Sequence, residues 1–344
     1  MRPVCLSVVL ALAAISATAG AAEARPEPSS VAESPVLDGG ADGNAVETLL
    51  VEWTDLARQR IVPVKIYYPK QGAGPSPVIL FSHGLGSSRH RYAYLGEYWA
   101  RHGYVSVHMQ HQGSDENVYK GTLFIRRALL RAANNPRASL DRPPDVSFVL
   151  DRLAEVNHAD SPLHGRLDLE RIGMAGHSFG GFATLAVAGQ VFRNAEGNEL
   201  KLVDRRIKAA FIMSPSAPFK RLQPEDTFER IAIPCLHMTA TEDESPLGLT
   251  TKADRRAAFD GIRKADQYLI TFQGGDHAIF TDQKRPFGNG DKDELFRELI
   301  QVSSTAFWDA YLKQDLKARL WLADGGLAAR LAADGVLEKK LVSP

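Results

Sequence analysis

Two runs of alternating apolar and polar residues open the patterned part of the chain, VETLLVEWTD and RIVPVKIYYP, with a short polar turn between them. That period of two predicts an antiparallel hairpin. Beyond it, short apolar runs alternate with segments of helical spacing. PVILFSHG predicts a strand ending in glycine, HRYAYLGEYWARHG a helix stopped by Gly103, YVSVHMQH a strand, and PPDVSFVLDRLAEV a helix opened by its prolines. RIGMAGHS and GGFATLAVAGQ form the next strand and helix. IKAAFIMSP, IPCLHMTAT and QYLITFQGG predict three more strands, and KDELFRELIQVSSTAFWDAYLKQ a long helix. Such alternation predicts an α/β chain with a mostly parallel sheet covered by helices on both faces. The tail, ARLWLADGGLAARLAADGVLEKK, reads as short amphipathic helices on the surface.

Two insertions interrupt the pattern. The first, residues 113–142, contains GTLFIRRALLRAANNP, whose leucines and arginines do not separate cleanly onto two helical faces. A cap near a site entrance is therefore expected there, rather than a membrane-surface helix. The second, SAPFKRLQPEDTFER, is a polar loop near the strand ends.

The first residues change the picture of where the protein resides. Arg2, the apolar run Val4 to Ile15 and the small residues Ala19-Gly20-Ala21 have the order of a secretory signal, so residues 1–22 are expected to be a signal peptide. The apolar part falls short of the ~20 residues of a membrane anchor, and no later segment could span a bilayer. Residues 23–44, rich in Pro, Ser, Gly and acids, read as a flexible leader, leaving residues 45–344 as one domain. The expected location is periplasmic or secreted. Signal cleavage removes Cys5 and leaves Cys235 alone in an apolar strand pattern, a buried thiol with no disulfide partner. In the 344-residue chain, 41 Lys and Arg balance 41 Asp and Glu. Zero net charge argues against a general binder of nucleic acid or of anionic membranes.

Candidate chemistry centres on GHSFG. Ser178 lies between a strand pattern and a helix pattern, with Gly176 and Gly180 where a side chain would strike neighbouring backbone, as a nucleophile elbow requires. A serine hydroxyl needs a base to take its proton as it attacks. With this elbow the partners follow in the order acid, then base, on loops after later strands. His277, just past QYLITFQGG, is the candidate base. HMTATEDESPLG offers Glu242, Asp243 and Glu244, and Asp243 is preferred because a short side chain suits a fixed position at a strand end. Asp276 adjoins His277 too closely to orient its ring. The backbone N–H groups of Phe179 and of Leu85, in the SHGLG loop, are the candidate oxyanion donors. The remaining histidines, His83, His108, His111, His177 and His237, read as packing or loop residues.

FSHGLGSSRHRYAYLGEYWARHGYVSVHMQHQGS, together with GHSFGG and GGDH, resembles the α/β-hydrolases near platelet-activating-factor acetylhydrolase and the bacterial dienelactone-hydrolase-like and polyester-hydrolase-like esterases. The resemblance runs from about Val46 to Gln314. It implies the α/β-hydrolase fold, no metal or other cofactor, and hydrolysis of short acyl esters through Ser178, Asp243 and His277. The expected partner is a small-molecule or lipid-like ester. Animal acetylhydrolases carry their acid after the strand equivalent to AAFIMSP, where this chain has no carboxylate. The resemblance thus implies generic ester hydrolysis rather than a phospholipid substrate. A peptidase of the same fold and a non-catalytic binding protein are the alternative readings.

Overall fold

Val46–Asp55 (β1) and Arg60–Pro69 (β2) pair antiparallel in one unbroken register, from Val46 opposite Pro69 to Asp55 opposite Arg60. This is the expected hairpin. Strands Ser76–Ser82 (β3), Val105–Met109 (β4), Leu167–His177 (β5), Ile207–Met213 (β6), Cys235–Glu242 (β7) and Gln267–Asp276 (β8) follow. Interleaved with them are helices Ala93–Arg101 (α1), Ile125–Ala133 (α2), Pro136–Leu140 (α3), Arg142–His158 (α4), Phe179–Ala188 (α5), Pro224–Phe228 (α6) and Ala257–Gly261 (α7). Helices Asp293–Tyr311 (α8), Leu316–Ala323 (α9) and Gly326–Leu331 (α10) and strand Gly335–Lys340 (β9) complete the order. The computed structural model describes residues 45–342 except 73, 195, 217–223 and 283–289. The expected signal and leader, and the middle of the second insertion, lie outside the described residues.

The strands form one sheet in the order β1-β2-β4-β3-β5-β6-β7-β8-β9. From β4 to β8 every neighbouring pair is parallel, and the pairs β1/β2, β2/β4 and β8/β9 are antiparallel. The chain moves from β3 outward to β4, then crosses back to β5 on the other side of β3. In sheets of this kind, such a reversal opens a crevice at the carboxyl ends of the strands.

Both sheet faces are buried, and the side chains of β3 divide between them as the pleat requires. Val78 and Leu80 pack with Val146, Val149 and Leu153 of α4, whereas Ile79 and Phe81 pack with Trp99 of α1 and Trp308 of α8.

Three expectations need correction. GVLEKK is a strand: Gly335 to Lys340 pair with Phe272 to Gln267 of β8, because the open edge of β8 supplies a ladder that a lone helical turn lacks. Helix α1 begins at Ala93 rather than near His90, because Tyr92 sits at φ 63° and breaks helical geometry. The leucines and arginines of α2 do separate: Ala132 is buried and Leu129 and Leu130 half-buried, while Arg126, Arg127 and Arg131 are exposed.

One buried carboxylate ties the hairpin to the sheet. Asp145 of α4, with no exposed surface, accepts hydrogen bonds from Arg58 at 2.8 Å, Arg60 at 2.7 Å and His111 Nδ1 at 2.9 Å. Burial works to raise this carboxyl, but the His111 N–H and the Arg60 guanidinium hold it at about 2. Beside it, Arg142 is fully buried and donates to Ser82 Oγ and Ser114 Oγ, each at 3.0 Å.

His83, His108, His111, His177 and His237 are all buried, and burial pushes each below its ordinary value, His108 to about 3 and His111 and His237 to about 4. Unfolded, each takes a proton near pH 6.5. The unfolded chain therefore binds more protons as pH falls, and each such ring costs about 1.4 kcal/mol of stability per pH unit between that point and its own lowered folded value. Asp145 contributes in full above about 3.8 and is lost only towards 2, so the histidines govern. Circular dichroism against pH is expected to show unfolding centred above about pH 4, with uptake of several protons. A centre in the range of carboxylate titration contradicts this.

Candidate active site

Ser178 occupies the turn between β5 and α5 at φ 55° and ψ −112°, a left-handed geometry that a residue with a side chain seldom adopts. Its N–H donates to Met213 O of β6 at 2.9 Å, pinning the turn to the neighbouring strand. The flanking glycines are needed for space. A Cβ on Gly180 would stand 1.9 Å from Ser82 O, and one on Gly176 would stand 2.2 Å from Gly180 O. Helix α5 can thus start hard against the end of β3, where the hydroxyl of Ser178 faces the crevice.

His277 follows β8 and opens a 3-10 turn, His277–Phe280, whose cap is Asp276, accepting from the Ala278 N–H at 2.8 Å. Asp243 follows β7 and is fully buried, whereas Glu242 and Glu244 are exposed. The structure brings three of the singled-out side chains into a row. Ser178 Oγ is 3.0 Å from His277 Nε2, and His277 Nδ1 is 2.7 Å from Asp243 Oδ1. With the carboxylate accepting at Nδ1, that nitrogen carries the proton and Nε2 is left to accept from the serine.

Residues that sequence reasoning passed over surround this row. Ser214, at the end of β6, donates to Asp243 Oδ1 at 2.8 Å and lies 2.7 Å from His277 Nδ1. It too is left-handed, at φ 46°. Thr239 Oγ1 donates to Asp243 Oδ2 at 2.8 Å. Arg255, 1% exposed, has Nε 3.5 Å from Asp243 Oδ1 and donates to the carbonyls of Ser214 at 3.1 Å and Pro215 at 2.7 Å. Burial lowers its guanidinium, and Asp243 works against that shift. Ser214 offered one sequence signal, a small polar residue at an apolar strand end. Arg255, in the charged run KADRR, offered none.

His177, beside the elbow, is a packing residue. Its ring lies 4.6 Å from that of His277, and its Nδ1 is 2.8 Å from the Tyr92 hydroxyl. Leu85 and Phe179 line the cavity beside Ser178. In the Leu85 loop the next N–H groups are engaged, Gly86 with Ser114 O at 2.9 Å and Ser87 with Gly84 O at 3.2 Å. The cavity measures about 1010 Å³; Leu129, Ala133 and Pro136 of the cap and Leu247 and Leu249 of the loop after β7 form its apolar walls. Residues of the first insertion thus line the cavity beside Ser178. Among the described residues no group of three His, Cys, Asp or Glu side chains is arranged to hold a metal ion.

The elbow yields a paired prediction. Gly180→Ala drives a Cβ into backbone and is expected to cost more than about 4 kcal/mol or to prevent folding. Gly181→Ala, whose nearest contacts are 3.1 Å to Pro215 Cα and 3.2 Å to Met213 O, is expected to cost less. Urea unfolding of both variants checks the order.

A family model described as platelet-activating factor acetylhydrolase, isoform II, matches residues 53–135, a stretch that holds the Leu85 loop and most of the cap but not Ser178, Asp243 or His277. The chain is 22% identical over 295 residues to platelet-activating factor acetylhydrolase of Cavia porcellus, covering 76% of this chain and 63% of that protein. It is 28% identical over 170 residues to cutinase 2 of Thermobifida cellulosilytica, covering 49% of this chain and 48% of the relative. Cutinase cut1 of Thermobifida fusca matches at 28% over 170 residues, 49% of this chain and 40% of the relative. The chain spans less than two thirds of the length of these relatives. The mostly parallel nine-stranded sheet covered by helices is an α/β-hydrolase fold, and these esterases are what the chain is similar to.

Proposed function

We propose that the protein is a serine carboxylic-ester hydrolase acting on short acyl esters, with Ser178 as nucleophile, His277 as base and Asp243 as acid. The observation that carries this reading is the row of contacts at 3.0 Å and 2.7 Å joining the three side chains, with Ser178 and His277 on the wall of the cavity. His277 Nε2 takes the Ser178 proton as Oγ attacks the ester carbonyl. The carbonyl oxygen gains charge and is met by the N–H groups of Leu85 and Phe179, each such donor being worth about 10²–10³-fold in rate. The imidazolium gives its proton to the leaving alcohol, and water then cleaves the acyl-serine by the same steps. Asp243 holds the proton on Nδ1 and steadies the charged ring.

The relatives named for acetyl esters and for cutin support ester bonds as the target. A short acyl group follows from the acetylhydrolase likeness, and the cavity leaves ample room for the alcohol part. Export is part of the same proposal: residues 1–22 act as a signal and the folded chain works in the periplasm or outside the cell. No helix among the described residues is long and apolar enough to cross a membrane.

A fluorophosphonate probe tests the chemistry. The protein is expected to be labelled, and Ser178→Ala to lose both the label and at least about 10³-fold in kcat. A panel of nitrophenyl esters from C2 to C12, run beside aminoacyl anilides, is expected to peak at C2–C4 with the anilides untouched. A peak at C10 or beyond, or faster anilide cleavage, counts against the short-ester reading.

Ser214 gives a second test. Glycine tolerates its left-handed backbone, so Ser214→Gly removes the hydroxyl with its methylene and adds no backbone strain. The expected result is a melting temperature lowered by a few degrees, unchanged KM and a kcat lowered by about tenfold, the worth of one charge-assisted hydrogen bond. Unchanged kcat would show that the hydroxyl does not help to position the acid and base.

A further inference from the structure

The cap does more than wall the cavity. Leu123, Phe124 and Ile125 stand in succession at its tip, 97%, 71% and 50% exposed. The tip is ordered: Thr122 Oγ1 accepts from the Phe124 N–H at 3.1 Å, and the Phe124 carbonyl accepts from the Ala128 N–H at 3.0 Å to start α2. Three large apolar side chains held in water in a row are unusual on a soluble surface. Immediately behind them come the exposed Arg126, Arg127 and Arg131, with exposed Arg137 on α3. Between Asn117 and Leu140 the chain has these four arginines and Lys120, and no carboxylate at all. Lys120 is paired with Glu116 at 2.7 Å, just outside that stretch.

We propose that the tip and exposed face of this cap dock on the anionic surface of a phospholipid bilayer. Leu123, Phe124 and Ile125 enter the boundary between headgroups and acyl chains, and the arginines rest on the phosphates. A neutral chain can do this because exposed charges are screened beyond about 8 Å at physiological ionic strength. What a membrane feels is the local field of the cap, and that field is cationic. A soluble polyanion would satisfy the arginines but leave Leu123 and Ile125 in water, whereas a bilayer interface takes both kinds of side chain. Docking also orients the molecule. Leu129, one helical turn beyond Ile125, lines the cavity, and Leu249, 49% exposed, stands on the wall contributed by the β7 loop. A cap seated on lipid therefore holds the mouth of the cavity close to that surface. The inference needs neither the triad chemistry nor the short-ester reading, since it concerns binding alone.

Sedimentation with lipid vesicles tests it, using the purified protein in the form isolated from its producing cells. The protein is expected to sediment with vesicles rich in phosphatidylglycerol, to stay in solution with pure phosphatidylcholine, and to be released as salt rises. Replacing Arg126, Arg127 and Arg131 together by Gln is expected to lower partitioning about 100-fold, near fivefold for each arginine at the surface. Replacing Leu123, Phe124 and Ile125 together by Ser is expected to lower it at least about tenfold. These side chains are half or more exposed, so melting temperatures should stay near the wild-type value. The proposal is overturned if the wild type ignores anionic vesicles or binds neutral ones equally well. It is also overturned if the serine variant binds as before, which would reduce the effect to bare attraction between polyions.

Discussion

A carboxylate with no exposed surface needs its oxygens met by donors, or it destabilises the fold that holds it. Asp243 is in that position. Three donors reach its oxygens, Ser214 at the end of β6, Thr239 within β7 and His277 after β8, and Arg255 on the loop beyond β7 lies beside it as an ion pair, Nε 3.5 Å from Oδ1. Satisfying one buried acid therefore draws three consecutive strand ends and a loop to a single point. The imidazole aimed at Ser178 is held as a by-product of that requirement. Arg255 also binds the Ser214 and Pro215 carbonyls, so the left-handed turn at Ser214 and the acid are braced by the same guanidinium.

A second buried network does comparable work on the other side of the elbow. Ser82, at the end of β3, lies 2.9 Å from His111 Nε2 and accepts from Arg142, and His111 reaches Asp145. The loop bearing Leu85 springs from this point, while α5 presses on the Ser82 carbonyl from behind. Neutral buried histidines suit such a network because each ring supplies one donor and one acceptor at no cost in charge. Two polar clusters, one at β3 and one at β6 to β8, thus hold the parts of the crevice that face Ser178.

Most of the architecture was legible in the sequence because both sheet faces are buried. Apolar runs such as PVILF have little choice but to be central strands, and the hairpin alternation fixed its own register. Ser178, His277 and Asp243 were legible because each sits at a strand end in a turn with its own local signature. Ser214 and Arg255 act through contacts far apart in the chain, and nothing in their immediate neighbours announces it. Strand β9 was missed for a related reason: GVLEKK becomes a strand only because β8 offers it a ladder. The two faces of α2 emerged only once its start at Ile125 fixed which residues turn inward.

That last strand carries a consequence for biogenesis. Among the described residues, the outer edge of β8, the strand that delivers His277, is paired with residues 335–340. A ribosome finishes those residues after everything else in the sheet has emerged, so the nascent domain passes through a stage in which Tyr268, Ile270 and Phe272 border an open row of peptide groups. Removing residues 335–340 would leave it at that stage, with a sticky flank that invites another molecule to add its own strand.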